Sequence, residues 1–404
     1  MDPQLPPEAP TRRSLPPTGR SRGPYRAAVA SSLATRRLLF VLPSLALGGA
    51  ERQAVLLARH LRADTDAHVE VWSLSSSGVA AELCADYSIP WRVVRLSWNS
   101  GRRQQVGSML RLLAALRQFR PDAILPYTLL PNVLCGCLWR MAGARTCIWN
   151  QRDVVDWHVG LTAERLALRQ VPLFVSNSGH ASKYLAERLR VPIERIRVIR
   201  NGVELPPKVH DRSEWRMRFG ARPDAFVACM LANLSPLKDH ATLLHAWRRV
   251  IDCLDIPAHL VLAGNAQGTE TAVKELVRNL GIQGRVTFLG PVHDVAGLLA
   301  AIDVSVLSSA SEGCPNGLLE SMAAGLPVVG SDIPGVREAV GRAGARFLSP
   351  VRDDEGLAKS LVALARSPAM RVEAGVRNAA RIDRHFSTSR MVGQTAALLT
   401  EALQ

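Results

Sequence analysis

Short apolar segments alternate with segments of helical period along almost the whole 404-residue sequence. This alternation predicts buried strands joined by crossover helices, the pattern of a parallel α/β sheet. In the first half the predicted strands are residues 37–44, 69–74, 122–128, 146–151, 173–178 and 197–202. In the second half they are residues 225–233, 258–265, 285–290, 304–309 and 327–332. Two such sets in a chain longer than a typical domain predict two α/β domains.

The segments outside these two sets are polar or terminal. Residues 204–215, ELPPKVHDRSEW, lie between the sets and contain two prolines, so we interpret them as the linker. Residues 1–36 are rich in Pro, Ser and Arg, which predicts a disordered basic tail because such a segment has little apolar surface to bury. A last helix is predicted at residues 386–403, where it could pack on either domain.

The apolar run Leu38–Leu47 resembles a signal peptide, because arginines precede it and small residues follow it. The long preceding tail and the direct continuation into an amphipathic helix favour a first strand instead. The run is also shorter than the ~20 residues that span a bilayer. Seven cysteines without regular spacing indicate a reducing compartment. We therefore expect a cytoplasmic protein, soluble or peripherally bound to the inner face of a membrane.

The formal net charge of +15 predicts attraction to nucleic acid, anionic lipid or phosphorylated metabolites. The sequence has four Tyr and eight Phe and does not interleave basic with aromatic residues, so we expect no nucleic-acid partner. The helix predicted at residues 102–120 combines an apolar stripe with five arginines and no acidic residue. It either packs on the sheet as a surface helix or contacts an anionic membrane.

Two glutamates flank a helix start that follows the strand predicted at residues 304–309. The stretch SEGCPNGLLESMAAGL (311–326) predicts a helix that opens at Pro315, Asn316 and Gly317 and ends at Gly325. Ligands of open α/β sheets bind beyond the carboxyl ends of the strands, so this helix start should face a cleft between the domains.

The chemistry of this stretch suits a nucleotide. The free N–H groups near Gly317 and Leu318 could bind a phosphate. Glu320, about one turn into the helix, could accept hydrogen bonds from ribose hydroxyls, and Glu312 could do the same for a sugar. The alternative is that Glu320 faces solvent and that Glu312 stabilises the helix dipole.

Other residues at strand ends point to the same cleft. Lys238 begins a predicted helix directly after a strand, where its ammonium group could neutralise a diphosphate leaving group; it could equally be an ordinary surface lysine. Gly264 lies in a loop after the next strand, and Gly48 and Gly49 precede a helix predicted at residues 50–61. No Cys and His residues have the spacing of metal ligands, so we expect no metal site.

These segments together resemble the retaining glycosyltransferases of family 4, group 1. The most specific of them is SSASEGCPNGLLESMAAGLPVVGSDIPGVREAV, with seven residues between its two glutamates. The likeness extends to LALGGAERQAVLLARHL, NSGHASKYLAERLRVPIERIRVIRNGVE, ANLSPLKDHATLL and FLGPVHDVAGLLAAIDVSVLSSASEG, and covers residues 37–403.

The resemblance implies a GT-B fold, in which two Rossmann-like, doubly wound α/β domains face each other across a cleft. Residues 37–204 would form an N-terminal acceptor domain, and residues 205–383 a C-terminal domain that binds the nucleotide sugar. Residues 384–404 would form a helix that crosses back to the N-terminal domain.

The resemblance also implies site residues. The residue matching Glu320 binds the ribose hydroxyls, the one matching Glu312 contacts the donor sugar, and the one matching Lys238 stabilises the departing phosphate. Further donor-binding positions are Asn316, Gly317 and Leu318 at the diphosphate, Val292 near the base, Gly48 and Gly49 beside donor and acceptor, and Asn233 and Gly264. The expected substrates are a UDP- or GDP-linked sugar and a carbohydrate or lipid-linked acceptor. No metal or other cofactor is expected, because lysine and helix dipole supply the charge stabilisation.

Two positions depart from the family pattern. Family members usually carry an arginine where this chain has Asn233, and many carry a histidine where it reads NQRDVVDWH (150–158). Arg152 could take over from the missing arginine. These departures leave open a non-catalytic family member that binds a nucleotide sugar. A doubly wound oxidoreductase is a further alternative, although the loop LALGGAERQ replaces the GxGxxG fingerprint of that class.

Overall fold

The computed structural model describes residues 32–98, 101–152 and 158–404. Most of the tail predicted at residues 1–36 therefore lies outside the described residues, as do residues 153–157 of the segment that lacks the expected histidine. Within the described ranges, no helix combines the length and the apolar character needed to cross a membrane.

The first half of the chain forms a parallel sheet. Its strands are Arg37–Leu42 (β1), His68–Ser73 (β2), Trp91–Val93 (β3), Ala123–Pro126 (β4), Thr146–Gln151 (β5), Leu173–Ser176 (β6) and Ile196–Val198 (β7). They lie in the order β3-β2-β1-β4-β5-β6-β7, so the chain winds outward from β1 in both directions. In register, Leu38 pairs with Val69 on one side and with Ala123 on the other.

The second half repeats this winding. Its strands are Phe226–Leu231 (β8), Ala258–Ala263 (β9), Val286–Gly290 (β10), Val304–Leu307 (β11), Val328–Ser331 (β12) and Leu348–Ser349 (β13). Their order is β10-β9-β8-β11-β12-β13, again parallel and wound from the first strand. Strand β9, AHLVLA, is buried at every residue, because helices cover both faces of the sheet.

Helices connect and cover the strands. The α-helices of the first half are Gly49–Thr65 (α1), Val79–Asp86 (α2), Arg102–Phe119 (α3), Leu129–Leu138 (α4), Leu161–Gln170 (α5) and Gly179–Lys183 (α6). Those of the second half are Arg212–Arg218 (α7), His240–Cys253 (α8), Glu270–Asn279 (α9), Val295–Ala301 (α10), Asn316–Ala323 (α11), Pro334–Gly344 (α12), Asp354–Arg366 (α13), Pro368–His385 (α14) and Thr388–Leu403 (α15).

The structure differs from the sequence-based strands and linker at three points. Strands β3 and β13, of three and two residues, were not predicted. The linker predicted at residues 204–215 ends earlier, since α7 begins at Arg212 with a capping box formed by Asp211 and Glu214.

The last helix, α15, packs on the first domain. Its buried residues join the apolar core under β1 and β2; they include Met391, Leu399 and Leu403. The chain therefore passes between the domains twice, and the two passages touch. Val203 bridges Ser387, the Val203 N–H donates to Phe386 O at 2.9 Å, and the Thr388 hydroxyl donates to Val203 O at 3.0 Å.

Candidate functional site

A cleft of about 420 Å³ lies where the carboxyl ends of the two sheets meet. Every residue that the sequence assigned to the site lines this cleft: Gly48, Gly49, Asn233, Lys238, Gly264, Val292, Glu312, Asn316, Gly317, Leu318 and Glu320. The structure thus brings them together, while their contacts with substrate stay predictions. The cleft is a result of the topology, because parallel strands wound outward from a central strand leave a crevice at their carboxyl edge.

Helix α11 points its N-terminus into the cleft. It begins at Asn316 behind Pro315, an N-cap residue whose side chain cannot accept a hydrogen bond from the first amide groups of the helix. A Cβ atom at Gly317 would lie 2.1 Å from the Leu231 carbonyl oxygen, so only glycine allows the helix to start this close to β8. Gly325 follows the helix with φ +75°, as expected for the residue that ends it.

Lys238 and Glu312 form an ion pair at the rim of α11. Lys238 ends the 3-10 turn Pro236–Lys238 after β8, and its ammonium group contacts Glu312 Oε1. Both side chains are largely shielded from solvent, with 22% and 10% exposed. Glu312 therefore pairs with a cation in the cleft, and its interaction with a sugar or with the helix dipole stays a prediction.

Glu320 is buried and paired across the cleft. Its Oε1 accepts a hydrogen bond from Arg52 Nη1 of α1 at 2.7 Å. The residue is 8% exposed, so the alternative that Glu320 faces solvent is wrong. Arg52 was not predicted from the sequence. Its position in the sequence could have identified it, because Arg52 lies in the first turn of the helix that follows Gly48 and Gly49, and this helix start faces the same cleft.

A chain of amides joins the two domains beside α11. The Asn316 side chain donates to Gly49 O at 2.9 Å and accepts from Asn201 Nδ2 at 2.7 Å. The Asn201 Oδ1 in turn accepts from Arg152 Nη1 at 3.1 Å. Asn201 was also missed, since an asparagine at a strand end carries no distinctive pattern.

Asn233 and Gly264 shape the other wall. The Asn233 Oδ1 accepts a hydrogen bond from the Asn265 N–H at 3.0 Å, which ties the loop after β8 to the loop after β9. Gly264 has φ +156°, and a Cβ atom there would lie 2.2 Å from Ala232 O. Both residues thus hold the wall in position, and Val292 packs on the apolar cluster behind it.

Two titratable side chains near Lys238 and Glu312 are uncharged at neutral pH. Burial raises the pKa of the Cys314 thiol to about 12, so this cysteine in the cleft wall stays protonated. Burial, followed by the charge of Lys238, lowers the pKa of His240 to about 4. Among the described residues, no three His, Cys, Asp or Glu side chains are grouped closely enough to hold a metal ion.

The two halves of the chain match two families. Residues 47–206 match Glycosyltransferase Family 4, and residues 225–367 match Glycosyl transferases group 1. The first match covers most of the β1–β7 sheet and the second most of the β8–β13 sheet.

Individual relatives belong to the same class. D-inositol 3-phosphate glycosyltransferase of Geodermatophilus obscurus is 31% identical over 256 residues, which are 60% of this chain and 55% of that protein. UDP-Gal:alpha-D-GlcNAc-diphosphoundecaprenol alpha-1,3-galactosyltransferase of Escherichia coli is 27% identical over 298 residues, 71% of this chain and 77% of that protein. The chain spans about half the length of the first curated relatives that it matches.

The fold agrees with solved structures. Anabaena Alr3699/HepE in complex with UDP and glucose has a TM-score of 0.80 at 23% identity, and the match covers 90% of this chain and 99% of that one. This likeness confirms the GT-B arrangement of two α/β domains that the resemblance in sequence implied. Since each domain also matches a family of its own, the chain belongs to the family 4, group 1 glycosyltransferases.

Proposed function

We propose that this protein transfers a sugar from a nucleoside diphosphate sugar to an acceptor hydroxyl, with retention at the anomeric carbon. The observation that carries the proposal is the arrangement around α11. One cleft combines a helix N-terminus, an ammonium group at Lys238 and two carboxylates, the largely shielded Glu312 and the buried Glu320. Amides and a cation suit a diphosphate, while carboxylates suit hydroxyl groups on either side of it.

In this proposal catalysis stabilises the leaving group. As the anomeric C–O bond breaks, its electron pair leaves with the diphosphate oxygen, and Lys238 and the start of α11 compensate the charge. The acceptor oxygen attacks from the same face and passes its proton to the departing diphosphate. We propose that no divalent cation is needed, because Lys238 and the helix N-terminus supply positive charge where such an ion would act. Unchanged transfer in EDTA is the expected result.

For the donor we propose a UDP-linked hexose, with a GDP-linked sugar as the alternative. Support comes from the names of similar proteins: the Anabaena structure contains UDP, and the Escherichia coli relative uses UDP-Gal. The second of these names also contains a diphosphoundecaprenol acceptor. For this chain we propose a carbohydrate or lipid-linked acceptor, in polysaccharide, lipopolysaccharide or glycolipid synthesis at the cytoplasmic face of a membrane.

Helix α3 supports contact with an anionic membrane. Val106 and Leu110, one turn apart, are 56% and 61% exposed, and the helix carries arginines but no acidic residue. We expect the protein to float with phosphatidylglycerol vesicles and not with phosphatidylcholine vesicles. Leu110→Glu should weaken flotation, and removal of residues 1–31 should show what the basic tail adds. Equal flotation with both vesicle types would contradict the electrostatic part of this proposal.

A ligand screen tests the proposed function directly. The nucleotide that binds the native protein raises its melting temperature, so UDP, GDP and ADP and their sugars can be compared in one experiment. Glu320→Ala should remove most of the stabilisation by the preferred nucleotide and raise the donor KM. Glu275→Ala, an exposed glutamate on α9, is the matched control.

The outcomes of this screen separate the alternatives. No stabilisation by any nucleotide would overturn the proposal. Binding without donor hydrolysis or transfer would favour the non-catalytic alternative. Absorbance of a bound nicotinamide or flavin would be required for the oxidoreductase alternative, which the two family matches do not support.

A further inference from the structure

Among the described residues, the charged side chains that line the cleft carry a net positive charge. They are three cations and two carboxylates: Arg52, Arg152, Lys238, Glu312 and Glu320. Glu320 pairs with Arg52, and Glu312 pairs with Lys238. Within the part of the chain that the structure describes, Arg152 is the cleft cation that contacts no carboxylate.

Neutral groups hold the Arg152 guanidinium in one orientation. Its Nη1 donates to Asn201 Oδ1 and its Nη2 to Asn150 Oδ1, each at 3.1 Å. The guanidinium also lies over the Tyr127 ring, 4.3 Å from the centroid. Amides and an aromatic ring orient a guanidinium without offsetting its positive charge.

The position of Arg152 relates it to the start of α11. Asn201, which accepts from Arg152, also donates to Asn316, the first residue of that helix. On the other side, the Arg152 carbonyl oxygen lies 2.6 Å from where a Cβ atom of Gly313 would be. The N-terminal domain thus brings Arg152, which contacts no carboxylate among the described residues, against the segment between Glu312 and α11.

We propose that Arg152 binds the diphosphate of the donor from the N-terminal domain, opposite Lys238. This inference rests on the proposed function and adds a residue to it. A diphosphate carries at least two negative charges, and the charge of Lys238 is already shared with Glu312. Arg152 supplies the further cation, and its planar group suits two phosphate oxygens. When the anomeric C–O bond breaks, Arg152 compensates part of the charge that stays on the diphosphate.

The test compares a diphosphate with its nucleoside. The probe is whichever of UDP, GDP or ADP stabilises the wild-type protein most, together with uridine, guanosine or adenosine. Titration calorimetry on full-length wild type and Arg152→Gln should show a loss of about tenfold to a hundredfold in affinity for the diphosphate. The affinity for the nucleoside should stay the same, because Arg152 is assigned to the phosphates only. Arg152→Lys, which keeps the charge, should recover part of the affinity.

A matched variant controls for charge alone. Arg145→Gln removes one positive charge from an exposed position just before the same strand, β5, and should leave both affinities unchanged. Melting without ligand shows whether each variant is folded. In a transfer assay, Arg152→Gln should lower kcat as well as raise the donor KM, because the charge on the diphosphate grows in the transition state.

Three results would overturn the inference. The first is equal diphosphate affinity in wild type and folded Arg152→Gln. The second is an equal loss for diphosphate and nucleoside, which would give Arg152 a purely structural part. The third is a changed acceptor KM with unchanged diphosphate affinity, which would assign Arg152 to an anionic group of the acceptor. Wild type that binds no nucleotide at all would instead overturn the proposed function itself.

Discussion

At the scale of single residues, the cleft depends on how closely backbone segments approach each other. A Cβ atom at Gly317 would lie 2.1 Å from the carbonyl oxygen of Leu231 at the end of β8, and one at Gly264 would lie 2.2 Å from that of Ala232 just after it. These contacts involve backbone, which cannot turn aside as a flexible side chain can. The glycines therefore determine how near the start of α11 comes to the ends of β8 and β9.

Gly317→Ala should destabilise the second domain and weaken nucleotide binding. The added methyl group meets Leu231 O, and relief of that overlap costs about 1–3 kcal/mol. Urea unfolding should show a lower midpoint, and calorimetry a lower nucleotide affinity. Gly284→Ala, where a Cβ atom would contact nothing within 4 Å, is the control. Equal midpoints for the two variants would mean that α11 starts farther from β8.

His259 should make stability depend on pH. Burial, followed by the charge of Arg285, lowers its pKa to about 4, and its Nε2 contacts the Thr287 hydroxyl at 2.9 Å. The unfolded chain has the ordinary pKa of about 6.5, so below that pH it binds a proton that the folded protein excludes. Stability is therefore lost as the pH falls from about 6.5 towards 4.

The change between about pH 7 and pH 5 should be about 1–2 kcal/mol for this residue. His259→Gln should reduce the pH dependence of the free energy of unfolding in urea by that amount. The pH dependence that remains comes from other groups, including buried His240. An undiminished pH dependence in this variant would show that His259 does not contribute.

At the scale of elements, the sequence predicted most strands of both sheets, including the three-residue strand β7. Eleven predicted runs correspond to observed strands, because buried parallel strands are continuous in apolar residues. Strand β3 contains Trp91 and Arg92, partly exposed at the sheet edge, and β13 has two residues. Such edge strands form through pairing with a neighbour, which a local pattern does not contain.

Helix α15 is the element whose place could not come from its own pattern. Its apolar stripe would fit either domain, and only the resemblance implied that it crosses back. In the structure, Leu399 is fully buried in the core of the first domain. The second half of the chain thus contributes part of the core of the first half.

Leu399→Ala should destabilise the first domain by about 2–5 kcal/mol, the cost of a cavity in a packed core. Hydrogen exchange should become faster in β1 and β2, which share that core. Leu110→Ala, at an exposed leucine of α3, should change stability by no more than about 0.5 kcal/mol. If exchange instead rose in the β8–β13 sheet alone, the assignment of α15 to the first core would be wrong.

At the scale of the whole molecule, ion pairs join the domains on two sides of the cleft. Arg52 binds Glu320 inside it, and Arg200 binds Glu338 of α12 at 2.9 Å beside it. Glu338 also accepts a hydrogen bond from the Gly179 N–H at 2.8 Å. Sequence reasoning identified Glu320 but not its partner, because the two residues are 268 positions apart and meet only once both domains are folded.

Removing both pairs should favour a more open molecule. Partly exposed pairs contribute up to about 1 kcal/mol each, so each loss should raise the open population about fivefold at most. Small-angle scattering should show a larger radius of gyration for Arg52→Ala/Glu338→Ala than for wild type. Glu270→Ala, which breaks a pair within α9, should leave it unchanged. An unchanged radius in the double variant would mean that other contacts set the domain arrangement.

The two neighbouring passages of the chain between the domains have a mechanical consequence. Because Val203 and Ser387 are bridged to each other, the domains are joined by a two-stranded strap and not by a single flexible segment. Two bridged segments resist twisting and sliding of one domain against the other more than they resist bending. Opening of the cleft should therefore follow one hinge direction. If a protease cuts one of the two connecting segments, the other segment still joins the domains.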